Sequence, residues 1–426
     1  MSYKNYENLS EKVYRKTLPS GLQVMVVPRP GFTKKLAYFV TDFGAIDLSF
    51  TLNGEKMELP QGTAHYLEHR LFDMPDFDVS ARFAALGASV NAFTSYDMTA
   101  YYFLCTEHFE ENLALLVQFV STPYFTEESV QKEQGIIGQE IGMNTDNPDT
   151  RIFESLMCSM YERHPIRNPI LGTVDSIAKI TPQVLHNAHR AFYRPENMLL
   201  CVVGDVDPEA VCRIAQENLP AAEPVQVERQ THFLEEMSCQ KGLTECKMDV
   251  AMPTFQLGFK CENPGFGEKA VRQEMVADLA AEILFGESSA LYLQMYQEGL
   301  IDSSFGGGFE TIKGMGVLSA SGDSFDALAV RDRILEEAQK ILAEGLEEKA
   351  FARIKRSTLG RRMRDLDSFD SLCFRICAYH FSGYDYFDFP NLYAEIQPSE
   401  VEDFIRKVVV PERCCVSLIY PNNQEV

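Results

Sequence analysis

Apolar residues recur along this chain in blocks whose spacing alternates between helical and extended. Ala64, Leu67, Leu71 and Phe72 share one face of a stretch from Thr63 to Phe72 that contains no Pro or Gly, which predicts a helix. Gly62 and Thr63 offer its start, and Pro75 stops the pattern soon after. Val130, Ile136, Ile137 and Ile141 supply the apolar side of a second helix from Thr126 to Met143. Thr126 is its natural N-cap, with Glu127 and Glu128 in the first turn. Asn91-Ala92-Phe93-Thr94 follows a Gly turn and reads as an edge strand.

The pattern then repeats. Thr181-Pro182 precedes Pro195-Glu196-Asn197 and the run Met198-Leu199-Leu200-Cys201-Val202-Val203-Gly204. Gln397-Pro398 precedes Pro411-Glu412-Arg413 and the run Cys414-Cys415-Val416-Ser417-Leu418-Ile419-Tyr420, 216 residues later. Each copy predicts a helix between two prolines and a Pro-Glu turn feeding a strand. A second echo pairs Ala85 to Val90 with Glu298 to Ser303, each a helix end passing through Gly into a strand. Duplicated halves of mixed helices and strands predict an α+β protein of two similar domains. Residues 1–219 form the first, 220–232 have linker composition, and 233–426 form the second.

Composition narrows the class. A chain of 426 residues with 45% hydrophobic positions can bury more than one core. No apolar run approaches the ~18 residues that span a bilayer. Met1 to Tyr6 is polar and has no apolar signal core, so the expectation is a cytoplasmic protein without membrane insertion. Eleven scattered cysteines with no C-x-x-C pair fit buried reduced thiols. Cys373 and Cys377 fall on an expected helix, and Cys414 and Cys415 in an expected strand. The net charge of −23 argues against nucleic-acid binding. It fits solubility at least as well as attraction of cationic peptides.

Candidate chemistry is concentrated in His65-Tyr66-Leu67-Glu68-His69. On a helix, His65 and His69 lie one turn apart on one face, the spacing two ring nitrogens need to reach one Zn²⁺. Glu68 sits near that face, where a carboxylate can act as base on a metal-bound water. The arrangement is H-x-x-E-H, the inverse of H-E-x-x-H and a zinc-hydrolase signature. The ordinary reading, a half-buried helix carrying two unrelated histidines, is weakened by a total of only eight histidines. A catalytic zinc usually takes a third protein ligand. The candidates are Glu133 and Glu140, two turns apart on the second helix, one to bind and the other to orient a ligand or the water. On spacing alone, two Glu on a helix of so acidic a chain are most often solvated surface.

The segments G-T-A-H-Y-L-E-H-R-L-F, A-L-G-A-S-V-N-A-F-T and E-Q-G-I-I-G-Q-E-I together resemble the insulinase/pitrilysin family of inverted-motif zinc peptidases, in particular its half-length, processing-peptidase-like bacterial members. I-L-G-T-V-D-S-I and F-Y-R-P-E-N-M-L-L-C-V-V-G extend the likeness. The resemblance implies two homologous α/β sandwich domains with mainly antiparallel sheets, and zinc on the first only. It implies His65, His69 and Glu140 as zinc ligands, Glu68 as base and Glu133 as support for a ligand. It further implies that Asn91, Ala92 and Phe93 bind substrate by strand addition, which favours extended peptides or unfolded polypeptide. Without the resemblance, that strand would be an ordinary one.

One departure stands out. Tyr296 and Asp302 occupy the places where active relatives carry an Arg and a Tyr that approach the substrate. An ionised Asp cannot donate to an oxyanion. Short family members act as two-chain assemblies, some with a zinc-less paralogue; the resemblance therefore implies a dimer, and the missing Arg and Tyr point to a heterodimer whose partner supplies them. Tyr296 could itself donate in a homodimer. The leading expectation is a zinc metalloendopeptidase. The alternatives are a non-catalytic assembly subunit, which predicts an eroded zinc constellation, and a zinc hydrolase of non-peptide substrates. His186 and His189 are expected at the surface or in caps, His164 in a loop, and Gly306-Gly307-Gly308 as a turn or strand edge.

Overall fold

Two sheets carry the fold, one in each half of the chain. The computed structural model describes residues 1–221, 223–230, 233–239 and 241–423. In the first half the strands are β1 (Ser2–Tyr6), β2 (Glu11–Thr17), β3 (Gln23–Pro28), β4 (Lys35–Thr41), β5 (Ser49–Leu52), β6 (Glu55–Glu58), β7 (Ser89–Thr94), β8 (Thr99–Cys105) and β9 (Met198–Gly204). The helices of that half are α1 (Thr63–Leu71), α2 (Val79–Ala85), α3 (Phe109–Ser121), α4 (Glu127–Thr145), α5 (Pro148–Met160), α6 (Val174–Ile177), α7 (Pro182–Phe192) and α8 (Pro208–Asn218). After β10 (Val227–Arg229), the second half has β11 (Leu243–Met248), β12 (Thr254–Cys261), β13 (Gly306–Ile312), β14 (Met315–Asp323) and β15 (Cys414–Pro421). Its helices are α9 (Glu268–Phe285), α10 (Ala290–Gln297), α11 (Ala327–Glu344), α12 (Glu348–Arg364), α13 (Phe369–Phe381), α14 (Phe389–Glu395) and α15 (Pro398–Val408).

The first sheet runs β1-β2-β3-β9-β4-β8-β7 and the second β11-β15-β12-β14-β13. Both are antiparallel except for one parallel pair each, β3 with β9 and β11 with β15. Aligned on those pairs, β3-β9-β4-β8-β7 and β11-β15-β12-β14-β13 have the same order, so the sequence repeat is a repeat of topology. The two proline-led segments become matching helices, α7 and α15, each leading through a 3₁₀ turn into the buried strand β9 or β15. All seven residues of β9 are buried, as a central strand of near-continuous apolar character requires. In the second echo the match is looser: Gly87 leads directly into β7, whereas several turn residues follow Gly299 before β13 begins. The Gly306-Gly307-Gly308 run opens β13, the edge strand of the second sheet.

Of the expected linker 220–232, residues 222, 231 and 232 lie outside the described residues, as do 424–426 of the second domain. Within that segment β10 pairs with β5, Val227 opposite Leu52 and Arg229 opposite Phe50.

The halves are locked by an exchange of helices. α13, from the second half, lies against β4 and β9 of the first sheet, where Leu372, Cys373, Ile376 and Cys377 join one core with Leu36, Tyr38, Cys201 and Val203. Cys201 Sγ and Cys373 Sγ meet at 3.8 Å across this seam. Reciprocally, α5 of the first half packs on β12 and β15, placing Leu156, Met157 and Met160 with Val317 and Cys415. The first sheet's other face is covered by its own helices around Phe39, Tyr66, Tyr101 and Phe192. A partly buried ionic group also spans the halves. Lys313, in the β13–β14 turn, pairs with Asp42, and Arg229 reaches Asp42 at 3.0 Å and Asp47 at 3.7 Å. Burial raises the carboxyls of Asp47 and Asp97, and Lys313 partly offsets both.

Candidate active site

α1 begins where Gly62 adopts φ 88°, a left-handed conformation that favours glycine. A Cβ at that position would meet the Leu171 carbonyl oxygen at 2.4 Å, so any other residue would push the helix start away from the 169–173 loop. Ala64, Tyr66, Leu67 and Leu71 are buried against the sheet and neighbouring helices. The Tyr66 hydroxyl donates to the Val130 carbonyl of α4, fixing the two helices side by side. α4 starts at the capping box of Thr126 and Ser129, and Val130, Glu133 and Ile137 are its buried positions. Ile136, expected on the apolar side, is 47% exposed. Ile137 and Ile141 lie four apart and turn inward, and Ile136 lies a full 100° round from Ile137.

This packing brings His65, His69 and Glu140 together. Their ligand atoms lie within 4.8 Å of one another, and among the described residues this is the one group of three that could hold a metal. His65 Nε2 is 3.6 Å from Glu140 Oε1, and His69 Nε2 is 3.7 Å from Glu140 Oε2. Two donors at tetrahedral angles around one zinc sit about 3.3–3.5 Å apart, so a small contraction around the ion would satisfy all three. The donor set of two imidazoles and one carboxylate suits zinc. These observations fit a zinc ion.

The other ring nitrogen of His69 is held. His69 Nδ1–H donates to Glu133 Oε1 at 3.0 Å, and Arg70 Nη1 donates to Glu133 Oε2 at 3.0 Å. Burial alone would raise the Glu133 carboxyl, but His69 and Arg70 outweigh it and hold it below the usual range. The neighbouring His65 and His69 rings outweigh burial and lower the Glu140 carboxyl. For His69, burial opposes the charged ring, but Glu133, Glu68 and Glu140 outweigh burial and raise it.

Glu68 is buried, and burial raises its carboxyl against the lowering effect of the Thr94 hydroxyl and the two histidines. Thr94 Oγ1 donates to Glu68 Oε2 at 2.6 Å. Thr94 closes β7, the outermost strand of the first sheet, so β7 runs directly beside α1. A cleft of about 290 Å³ opens there, lined by Glu68, His69, Phe72, Asn91 and Ala92 among others. The Ala92 N–H is bonded to its neighbour's Asn91 Oδ1 rather than to β8, so it points to the free edge of the sheet. Phe93 turns to the opposite face, where its ring lies 5.9 Å from that of Phe374 on α13.

Tyr296 is half-exposed and stacks on Tyr292, and Asp302 accepts hydrogen bonds from the Ser304 amide and hydroxyl, which hold its carboxyl below the usual range. His189, expected at the surface or in a cap, is buried: it stacks on Tyr193 and hydrogen-bonds the Val120 carbonyl, and burial pushes its pKa down to about 4. It lies on the inner face of α7 with Leu185, Ala188 and Phe192. His186, one turn back, lies against the Phe125 ring. His164 caps the 3₁₀ turn Pro165–Arg167 and is buried. Sequence reasoning gave no role to Thr94 or Arg70. Both follow known motif residues directly, but only the packing of α1 beside β7 and α4 shows what they touch.

The family model described as insulinase (peptidase family M16) matches residues 54–174, and that described as peptidase M16 inactive domain matches residues 179–358. The protein of Bacillus subtilis named uncharacterized zinc protease YmfH is 38% identical over 428 residues, covering 98% of this chain and 99% of its own. The crystal structure of an M16-like peptidase from Alicyclobacillus acidocaldarius superposes with a TM-score of 0.92 at 31% identity, covering 97% of this chain and 99% of that one. The crystal structure of pitrilysin has a TM-score of 0.78 at 16% identity. It covers 98% of this chain but 45% of its own, a likeness of fold in which this chain corresponds to about half of the longer protein.

Proposed function

The chain belongs to the insulinase family of peptidases, M16, and on that premise we propose that it is a zinc metalloendopeptidase acting on peptides or unfolded protein segments. One observation carries this reading: the His65, His69 and Glu140 donors and the Glu68 carboxylate meet beside the open edge of β7. His65, His69 and Glu140 would hold the ion, with Glu133 and Arg70 fixing the orientation of the His69 ring. When bound, zinc supplies Lewis acidity, lowering the pKa of a bound water toward ~7 and polarising a carbonyl. Glu68 takes a proton from the attacking water and delivers it to the leaving amine. The peptide lies extended along β7, its backbone pairing with the free edge at Asn91 to Phe93.

At the places where active relatives carry an Arg and a Tyr, this chain has Tyr296 and Asp302. The Asp302 carboxylate is ionised and occupied by Ser304, and Tyr296 stacks on Tyr292. We therefore include in the proposal a dimeric assembly, with a zinc-less paralogue contributing those groups. Full turnover by the purified chain alone would remove the need for that partner. A cytoplasmic setting accords with eleven free cysteines. A purely structural subunit is the alternative, and the intact zinc constellation speaks against it.

The test measures metal content and hydrolysis of an unstructured peptide for wild type and Glu68→Gln. We expect one zinc per chain in both and a loss of about 10²–10⁴ in kcat for the variant. A Glu68→Gln protein as active as wild type would overturn the assignment.

A further inference from the structure

We propose that Thr94 is a positioning residue that fixes the orientation of the Glu68 carboxylate and ties it to the strand expected to receive the substrate. This inference rests on the zinc-peptidase reading above. Glu68 ends a flexible side chain whose terminal torsion is broad, and it sits in a buried setting. Among the described residues, the Thr94 hydroxyl is the hydrogen-bond donor on that carboxylate, at 2.6 Å from Oε2. A carboxylate can only accept, so the hydroxyl must give its single proton to Glu68. Oε2 is thereby held, and Oε1 is left as the free acceptor for the proton of a water.

Thr94 can impose this direction because it is itself fixed. As a β-branched residue it has a stiff χ1. It lies opposite Thr99 of β8, and the next residue, Ser95, donates its N–H to the Met98 carbonyl. Side chains alternate across a strand, so Val90, Ala92 and Thr94 face α1, whereas Asn91 and Phe93 face the other way, Phe93 toward α13. The hydroxyl that holds the base therefore lies two residues from Ala92, whose N–H points to the open edge. A peptide paired with that edge takes its register from the same strand that sets the base. Base and scissile carbonyl share one reference, and a slipped peptide would present the wrong atom to Glu68.

The experiment compares Thr94→Val and Thr94→Ser in the full, zinc-loaded protein, with its partner chain if one is required. Valine keeps the branched shape and removes the donor, whereas serine keeps the donor. We expect zinc content unchanged in both and KM within about 2-fold of wild type. Thr94→Val should lose about 10- to 100-fold in kcat, the scale of a misplaced catalytic group, and Thr94→Ser should stay within about 3-fold. If Thr94→Val is unstable, Thr94→Ala carries the same expectation. Three outcomes would overturn the inference: an unimpaired kcat without the hydroxyl, a loss that falls on KM instead, or a serine variant as impaired as the valine one. Failure of the underlying reading is separate, since it appears as an active Glu68→Gln protein whatever Thr94 does.

Discussion

Glu133 and Glu140, two turns apart on α4, address opposite nitrogens of the same imidazole: Glu133 faces His69 Nδ1 at 3.0 Å, and Glu140 faces His69 Nε2 at 3.7 Å. Only one of those nitrogens remains for a metal, which separates two carboxylates that sequence alone leaves interchangeable. Glu140→Gln is expected to remove a ligand and abolish stoichiometric zinc. Glu133→Gln is expected to weaken zinc by about 10–100-fold while leaving the ligand set intact. Isothermal titration with zinc distinguishes them, and equal losses in the two variants would show that Glu133 is a ligand too.

Arg70 enters the same chain of contacts, since it holds Glu133 Oε2 at 3.0 Å and also pairs with Asp73. Arg70→Met leaves the Glu133 carboxylate buried with one partner fewer. We expect zinc affinity to fall in the direction of Glu133→Gln and by less. An Arg70→Met protein that binds zinc as wild type would show that His69 alone fixes Glu133.

The edge of β7 yields a prediction about backbone rather than side chain. Because the Ala92 N–H points away from β8, proline at this position removes an edge donor without breaking the ladder. Ala92→Pro is therefore expected to keep the fold and zinc content while raising KM for an extended peptide by about 10-fold, the cost of roughly one net hydrogen bond. Unchanged KM would show that the peptide does not pair there.

The partly buried charges between the halves predict a pH signature. Burial raises Asp47 and Asp97. A carboxyl with a raised folded-state pKa binds its proton more tightly in the folded protein. Its favourable contribution is therefore complete below the unfolded value and is lost as pH rises through the folded value. Lys313 lowers both groups and so limits that loss. Lys313→Met should destabilise the protein by roughly 1–3 kcal/mol at pH 8 and by less at pH 5, where the carboxyls are closer to neutral. Urea unfolding at the two pH values checks this, and an equal loss at both would exclude Asp47 and Asp97 as the cause.

Much of this arrangement was legible in the residues. The helical spacing of His65 and His69, the cap at Thr126, and the duplicated proline-led segments each state a local rule that the packing obeys. Ile136 and His189 were misread for a shared reason. A helical pattern gives a period, but the neighbour that covers each face fixes which flank turns inward. Thr94 is legible as a strand residue but not as the partner of Glu68, which lies 26 residues away on an element of different type. The exchange of α5 and α13 was not legible either. Both helices are amphipathic in the ordinary way, and nothing in such a pattern says which half's sheet will receive it.

That exchange sets the expectation for separated halves. A fragment 1–230 retains α5 but lacks α13, so Leu36, Tyr38, Cys201 and Val203 lose their cover on the first sheet while Leu156 and Met160 on α5 lose the second sheet. Each fully buried large apolar side chain returned to water costs about 1.5–3 kcal/mol, and several together exceed the total stability of about 5–15 kcal/mol typical of a domain. The fragment is thus expected to expose apolar surface, bind a hydrophobic dye and be cut readily by protease. Co-expression with 233–426 should restore protection, because each piece carries the helix that the other sheet requires. In the intact chain the same seam predicts that Leu372→Ala costs about 2–5 kcal/mol, although Leu372 lies in the half without zinc. A fragment 1–230 that is monomeric, resistant to protease and cooperative in its unfolding would refute this account of how the halves hold together.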